Sequence, residues 1–508
     1  MTDTAASPPG RRPSVVRRIA VATAAITLIV LAAGTAWLAA DWNANVTATA
    51  FREARANQAT LRNFLNAMPK GGDLHVHLSG AVYAERYIEW AIADGQCLRQ
   101  SDYAIVNPPC DPTAKTVPMK TIAGDQATRD RIVNALSMRN FVPSPAEPSG
   151  HDHFFATFGK FAAVSGPHFN DMILDLLPYY QEQAAQYVEL MTSFSGFAER
   201  QPFVTALAGK TSMQEKLDAL NAAGLAAFVA GKKDELDKSA EAIEQKRGCD
   251  AARAKPGCRV DYRFIAQVSR NSSLDDVFVQ TAIAAAIVRA DARVVGFNFV
   301  QAEDAATPLK DYTAQMQIIA FLAKSPAVNV SLHAGELWLG LVPPHDLTFH
   351  IREAVEIAGA KRIGHGVDLA FEHGLDRLLK EMRERAVAVE INLTSNEQIL
   401  GVRGADHPFP AYRLAGVPVV LSTDDAAVER IDLTNEYLRA ARDYGLRYAE
   451  LKQIARASLT FSFLSEADKK KELARFDAAS ADFERAVAAR RSTLENLIVL
   501  VKAGIDWR

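Results

Sequence analysis

Short apolar runs rich in β-branched residues recur along the chain and alternate with longer stretches of helical periodicity. A bounded run of about four to eight such residues is typical of a buried strand. A first helical stretch, residues 45–68, is ended by the sequence MPKGG, and the strand-like runs begin there. These runs are LHVHL at 74–78, then 187–192, 262–269, 293–299, 328–333, 362–365, 387–393 and 417–423.

The spacing of these eight runs predicts how the strands pair. Because consecutive runs are too far apart for hairpins, parallel pairing through helical crossovers is favoured, and about eight parallel strands close a barrel. An open doubly wound sheet is the alternative, but it usually carries a glycine-rich phosphate turn, and neither G-x-G-x-x-G nor a P-loop occurs in the sequence. We therefore predict an α/β fold, a TIM (β/α)8 barrel, with helical insertions at about 95–180 and 211–260. Residues 433–500 are expected to be packing helices.

The N-terminal residues have a different pattern. An uncharged run at 19–40 follows four arginines, Arg11, Arg12, Arg17 and Arg18. An apolar stretch of about 20 residues spans a bilayer, and basic residues before it mark the cytoplasmic side. We expect residues 1–18 to be cytoplasmic and residues 19–40 to be a transmembrane anchor or a signal segment. Residues 42–508 would then lie outside the cytoplasm, membrane-anchored or secreted.

Cysteine usage agrees with export. Cys97 lies close in sequence to Cys110, and Cys249 to Cys258, so two local disulfides are favoured over incidental thiols. Neither pair has the C-x-x-C spacing of a zinc site. The formal net charge is only -3, and no basic block follows the N-terminus, which argues against a nucleic-acid partner.

Polar residues at the ends of the predicted strands indicate chemistry. His75 and His77 are two residues apart on the first strand, so both imidazoles point to the same side. Three further motifs lie at strand ends, SLHAGE (331–336), RIGHG (362–366) and LSTDDA (421–426). Because the C-terminal ends of barrel strands meet at one face, we expect these residues to surround one site.

This set can hold one divalent cation, and nitrogen with oxygen ligands favours zinc, one ion per chain. Such a cation activates water for hydrolysis. The predicted ligands are His75, His77, His333 and Asp424. Glu336 lies beyond its strand end, in a position suited to general acid/base catalysis, and His365 can orient or deprotonate the water. Asp425 can accept a hydrogen bond from a substrate.

Three phenylalanines, Phe154, Phe155 and Phe158, have helical spacing inside the first insertion. Such a stripe is commonly part of the core, and an apolar lid over the mouth of the barrel is the alternative.

The motifs MPKGGDLHVHLSG, SLHAGE, RIGHG, LTSN and STDD, in this order, resemble the signature series of the adenosine deaminase family within the metal-dependent amidohydrolases. The resemblance extends from about Met68 to the C-terminal helices. The long insertion, the paired cysteines and the N-terminal segment make the chain most similar to the secreted, growth-factor-like branch. The resemblance implies zinc-dependent hydrolytic deamination of adenosine, or of a related adenine nucleoside such as 2'-deoxyadenosine, to inosine and ammonia.

The resemblance also implies roles for single residues. Glu336 would protonate the purine N1, His365 would handle the water, and Asp425 would hold N7. Two positions depart from the family pattern. Ser79 stands where the family has an aspartate for the ribose, and Gln301 adds a side chain where the family leaves space, so both are expected to shape substrate binding. The alternatives are an amidohydrolase acting on another small molecule and a membrane-anchored nucleoside-binding protein.

Overall fold

The computed structural model describes residues 42–145, 147–250 and 252–491. Residues 54–478 form one compact unit, whereas residues 42–53 and 479–491 belong to a second one. The segment predicted to cross or enter a membrane, residues 19–40, lies outside the described residues. Among the residues that are described, none of the helices combines the length and the apolar character needed to cross a bilayer.

The strands and helices alternate through most of the chain. The strands are β1 (Gly71–His77), β2 (Cys97–Arg99), β3 (Ala104–Val106), β4 (Thr116–Pro118), β5 (Ala185–Thr192), β6 (Asp261–Ser269), β7 (Val294–Val300), β8 (Ser331–Ala334), β9 (Arg362–His365), β10 (Ala388–Ile391) and β11 (Val419–Leu421). The helices are α1 (Gln58–Ala67), α2 (Ala84–Ala93), α3 (Gln126–Ala135), α4 (Gly150–Ser165), α5 (Phe169–Glu182), α6 (Phe197–Ala206), α7 (Met213–Ala222), α8 (Leu225–Arg247), α9 (Leu274–Ala290), α10 (Ala306–Leu322), α11 (His350–Glu356), α12 (Leu375–Glu384), α13 (Leu393–Leu400), α14 (Phe409–Leu414), α15 (Leu433–Asp443), α16 (Tyr448–Thr460) and α17 (Glu466–Ala489).

The parallel strands form a closed ring. They pair in two 4-stranded sheets, with the orders β1-β5-β6-β7 and β8-β9-β10-β11. A parallel bridge between Phe297 and Val330 joins β7 to the start of β8, and a second bridge between Val76 and Asp424 joins β1 to the end of β11. A doubly wound sheet would have two open edges, so the ring is consistent with the predicted (β/α)8 barrel.

The first insertion differs from the prediction of a purely helical segment. It contains a 3-stranded sheet in the order β3-β2-β4, in which the neighbouring strands are antiparallel. Each of these strands has only 3 residues, which is too short for a periodic pattern in the sequence. A disulfide between Cys97 and Cys110 joins β2 to the loop after β3. The second insertion is helical as predicted, with α7 and α8 followed by the Cys249–Cys258 disulfide.

The predicted helix at 45–68 is interrupted. Residues 42–54 are helical, residues 55–57 are not, and α1 begins after them. The side chain of Asn57 accepts a hydrogen bond from the backbone N–H of Ala59 at 2.8 Å, which caps the new helix. Asparagine is among the preferred residues at this position, so a capping residue inside the helical pattern marks the break.

Arg362 is a buried charge in the interior of the barrel. From β9 its guanidinium reaches Glu189 on β5 at 2.6 Å and Glu390 on β10 at 2.5 Å, and all three side chains are enclosed. The guanidinium also lies 3.7 Å from the ring centroid of Phe463. One cation therefore neutralises two buried carboxylates from different parts of the ring.

The replacement of Arg362 tests this ion pair. Removing one partner of a buried pair leaves an uncompensated charge, so we expect Arg362→Met to lower the free energy of unfolding by about 3–5 kcal/mol. The control is Arg377→Met, because Arg377 pairs with Glu356 at the exposed surface; its effect should stay below about 1 kcal/mol. Urea unfolding followed by circular dichroism measures both, and equal stability of the two variants would contradict the assignment.

Candidate active site

The four predicted cation ligands converge at the C-terminal end of the barrel. Nε2 of His333 lies 3.1 Å from Nε2 of His75 and 3.2 Å from Nε2 of His77. Oδ1 of Asp424 lies 3.4 Å and 3.3 Å from the same two histidine nitrogens. In a tetrahedral zinc site with ligand distances of about 2.0–2.1 Å, neighbouring ligand atoms are roughly 3.3 Å apart. Four of the six distances among these donor atoms therefore match the spacing of ligands around one divalent cation. Donor atoms of His75, His333 and Asp424 also lie within 4.8 Å of one another and of a ring nitrogen of His365.

The opposite nitrogens of the three rings are already engaged. Each ring is held at Nδ1 by a polar side chain behind it: His75 by Glu390 at 2.6 Å, His333 by Asn298 at 2.8 Å, and His77 by the amide of Gln267 at 2.6 Å. Partners that accept the Nδ1 proton, as Glu390 and Asn298 do, fix ring orientation and leave Nε2 as the ligand atom; Gln267 does the same when its amide oxygen faces His77. The three rings are thus prepared to bind a cation through Nε2.

Glycines allow the closest approaches in this site. A Cβ atom at Gly364 would lie 2.6 Å from Cε1 of His75, so β9 can pass this ring only without a side chain there. A Cβ atom at Gly80 would lie 1.5 Å from Oδ1 of Asp425. Both contacts are far shorter than van der Waals distance, and both glycines are therefore required by packing.

The neighbouring aspartates face the same side of the barrel mouth. Alternation along a strand would point Asp424 and Asp425 in opposite directions. Asp424 instead has φ = 59°, in the left-handed region, and both side chains line one cavity. A non-glycine residue in this conformation stores strain, which is typical of functional sites. With this backbone conformation Asp424 contacts the histidines of the cation site, and Asp425 faces the cavity.

Glu336 and His365 lie together beside the cation site. Oε1 of Glu336 is 3.5 Å from Nδ1 of His365, and Nε2 of His365 is 3.7 Å from Oδ2 of Asp424. Asn396, from the LTSN motif, places its amide 2.9 Å from Nδ1 of His365. His365 also has a left-handed backbone, with φ = 69°.

Glu336, Asp424 and His365 have different pKa shifts, and their surroundings explain the differences. Burial raises the pKa of Glu336 well above its usual value, and the negative charges of Asp424 and Glu303 raise it further. Burial also acts against ionisation of Asp424, but its contacts with the imidazoles of His75 and His77 hold the pKa of Asp424 well below its usual value. Burial lowers the pKa of His365 to about 3. A carboxyl kept protonated beside an ionised one is the arrangement of an acid/base site.

A cavity of about 470 Å³ opens over this cluster. The remaining predicted substrate residues, Ser79 and Gln301, line it together with Asp425. Phe154, Phe155 and Phe158 from α4 also line it; Phe154 is buried, and the other two are half-buried. The aromatic stripe is thus both part of the core and an apolar wall of the cavity.

Gln301 presents a fixed side chain to this cavity. Its Oε1 accepts hydrogen bonds from the hydroxyl of Ser269 and from the backbone N–H of Asn271, the latter at 3.3 Å. A backbone N–H is only a donor, so the amide oxygen must face Asn271 and the amide nitrogen must face away from it. The backbone of Gln301 is also left-handed, with φ = 80°.

The sequence reasoning missed the residues that support the ligands. Glu390 and Asn298 each lie inside an otherwise apolar strand, in AVEI and VVGFNFV, and both are fully buried. A single polar residue in a buried strand needs a partner, and that requirement is the sequence feature that could have identified both.

Residues 232–479 match the family model of adenosine deaminase. This region, just under half of the chain, belongs to the adenosine deaminase family. The chain is 29% identical over 203 residues to the adenosine deaminase of Clostridium perfringens, which is 40% of this chain and 56% of that protein. It is 34% identical over 178 residues to the adenosine deaminase of Enterococcus faecalis, which is 35% of this chain and 48% of that protein. The chain therefore spans about half the length of these relatives.

Solved structures extend the likeness in fold. Arabidopsis ADAL complexed with IMP has a TM-score of 0.54 and 18% identity, covering 83% of this chain and 99% of that chain. The adenine deaminase from Arthrobacter aurescens has a TM-score of 0.51 and 17% identity, covering 81% and 98%. At these identities the comparison shows a shared fold.

The match to the adenosine deaminase family model begins after β1. It includes His333 and Asp424 but neither His75 nor His77. Those two histidines join the site because the ring closes, which places β1 beside β11. The complete ligand set therefore rests on the geometry as well as on the family.

Metal binding by single variants tests the ligand set. Both His77 and His365 lie near Asp424, and the donor atoms of His365 are within 4.8 Å of those of His75, His333 and Asp424. Nε2 of His77 is the closer of the two to Asp424, at 3.3 Å against 3.7 Å for Nε2 of His365. We expect His77→Ala to lose its bound zinc on desalting, because three donors remain, and His365→Ala to retain about one zinc per chain. Elemental analysis by mass spectrometry gives both contents, and loss of zinc from His365→Ala alone would exchange the two assignments.

Proposed function

We propose that this chain catalyses the hydrolytic deamination of an adenine nucleoside, adenosine or 2'-deoxyadenosine, to the corresponding inosine nucleoside and ammonia. The observation that carries the proposal is the position of Glu336, a buried carboxyl of raised pKa on the cavity wall beside the cation ligands. An acid placed so can protonate a ring nitrogen of a bound purine.

The residues present fit a zinc ion held by His75, His77, His333 and Asp424. When bound, zinc supplies a Lewis acid that activates water for attack. Proton transfer and binding of the purine are assigned to side chains of this chain.

The proposed roles follow from position and charge. Glu336 gives its proton to N1 of the purine while water adds to C6, and His365, whose lowered pKa keeps the ring neutral at the start, accepts a proton from that water. Burial raises the pKa of Asp425 well above its usual value, so its protonated carboxyl donates a hydrogen bond to N7. His365 then passes its proton to the departing amino group, and the C6 hydroxyl returns a proton to Glu336, so that ammonia leaves and a carbonyl oxygen remains on C6.

The cavity favours a nucleoside over a nucleotide. Among its described lining residues, the carboxylates are Glu336, Asp424 and Asp425, and none of the others is Lys or Arg. A phosphate group would enter this cavity without a Lys or Arg side chain to pair with it. The neutral Ser79 and Gln301 are suited to hydroxyls of a sugar or to the purine edge.

The cysteines bear on the cellular compartment in which the protein acts. Both pairs are disulfide-bonded, and the structure shows no free cysteine among the residues it describes. Stable disulfides are typical of proteins outside the cytoplasm. We propose that the enzyme acts in an extracytoplasmic compartment.

The replacement of Glu336 tests its role as the general acid. Glu336→Gln cannot donate a carboxyl proton, so we expect kcat to fall by about 100-fold or more while the zinc content is unchanged. The conversion of adenosine to inosine is followed by the change in ultraviolet absorbance and confirmed by chromatography. Glu384→Gln, at an exposed position, is the matched control. Normal turnover by Glu336→Gln would remove the assignment.

A substrate panel tests the class of molecule. We expect kcat/KM for adenosine and 2'-deoxyadenosine to exceed that for AMP by at least about 100-fold, because a phosphate taken out of water without a Lys or Arg partner loses hydration that the cavity does not replace. Equal values for AMP and adenosine would contradict the nucleoside assignment. Failure of every adenine compound, in protein with full zinc content, would contradict the deamination itself.

A further inference from the structure

A buried carboxylate that none of the predictions included holds the loop carrying Glu336. Glu303 lies three residues beyond the end of β7. Its Oε1 accepts the backbone N–H of Gly335 at 3.1 Å, and its Oε2 accepts the backbone N–H of Glu336 at 2.9 Å. Both oxygens of one carboxylate therefore bind consecutive amides of the loop.

Glu303 is itself fixed from behind. Nδ1 of His350 donates to Oε1 of Glu303 at 2.6 Å, and Nη1 of Arg270 lies 3.5 Å from the same oxygen. The side chains of all three residues are enclosed. The imidazole of His350 stacks on the ring of Tyr312 with 3.8 Å between centroids. Glu303 consequently has little freedom to turn.

Arg270 extends this support to the cation site. Its Nη2 donates to the backbone carbonyl of His333 at 2.5 Å, and its backbone N–H donates to the carbonyl of Val300 at 3.2 Å. The Arg270–Glu303 pair thus joins the ends of β6, β7 and β8. It contacts the backbone of one ligand residue and the backbone of Glu336.

The loop also contacts Asp368. Gly335 has φ = 71°, and a Cβ atom there would lie 2.2 Å from Oδ1 of Asp368. The backbone N–H of Asp368 donates to the carbonyl of Gly335 at 3.1 Å. The backbone that leads into Glu336 is therefore held by both Glu303 and Asp368.

We propose that Glu303 is a positioning residue for the general acid, acting through the amides of Gly335 and Glu336. Its catalytic consequence rests on the proposed deamination. A displacement of about 1 Å at a catalytic group can cost about 100-fold in rate. A residue that only supported the fold would change stability and leave the turnover of folded protein unchanged.

The first experiment compares two isosteric replacements. In Glu303→Gln an amide nitrogen must face one of two backbone N–H donors, and the ion pair with Arg270 is lost. The matched control is Glu372→Gln, because Glu372 is also buried and accepts a backbone N–H, that of Arg352 at 3.0 Å, away from the cavity. We expect Glu303→Gln to lose about 100-fold in kcat with KM within about threefold and zinc retained. Glu372→Gln should keep wild-type kcat.

Hydrogen–deuterium exchange tests the contact without using activity. Peptides covering residues 331–341 should show slow exchange at Gly335 and Glu336 in the wild-type protein. This protection should be lost in Glu303→Gln and kept in Glu372→Gln. Unchanged protection in Glu303→Gln overturns the proposal, as does unchanged kcat in an active protein. An inactive wild-type enzyme sinks the proposed function, and the exchange result still decides the positioning contact.

His350 supplies a second pair of variants in case Glu303→Gln does not fold. The side-chain amide of His350→Asn can donate from near the position of Nδ1, whereas His350→Leu cannot donate. We expect the asparagine variant to keep loop protection and most of kcat, and the leucine variant to lose both. Equal behaviour of the two variants contradicts the role assigned to Glu303.

Discussion

Two backbone hydrogen bonds join Asp424 to β1, and the active site depends on them. The N–H of Asp424 donates to the carbonyl of His75 at 2.9 Å, and the N–H of His77 donates to the carbonyl of Asp424 at 3.1 Å. They close the ring of strands at the point where three of the proposed ligand residues meet. Asp73 strengthens the same junction, since the hydroxyl of Thr423 donates to its carboxylate at 2.7 Å. The hydrogen bonds that close the barrel therefore also place Asp424 beside His75 and His77.

The site also depends on charges buried beneath it. Arg362 neutralises Glu390, which in turn orients His75, and Arg270 neutralises Glu303, which holds the loop of the acid. A buried pair of this kind gives little net stability, because the cost of desolvation offsets the attraction. Its contribution here is orientation. Arg362 contacts Glu390, which binds the ring of His75. Arg270 contacts the backbone carbonyl of His333 and the carboxylate of Glu303.

Much of this arrangement was predictable from local sequence patterns. The apolar runs predicted the barrel strands, and the positions of His75, His333 and Asp424 at strand ends predicted a shared site, because parallel strands place their ends together. The three-residue strands of the insertion were too short to show a period. The side-by-side orientation of Asp424 and Asp425 required a left-handed backbone, which strand alternation does not predict. The role of Glu303 depends on contacts with residues 32 and 33 positions away, which no local pattern encodes.

The central claim is that three imidazoles and one carboxylate, from three separate strands, bind one zinc ion. Crystals of the zinc-loaded protein, measured on both sides of the zinc absorption edge, test it most directly. The account predicts one strong anomalous peak at about 2.0–2.1 Å from Nε2 of His75, His77 and His333 and from a carboxylate oxygen of Asp424. A zinc peak at any other position, or full zinc loading with no peak among these four side chains, would contradict it.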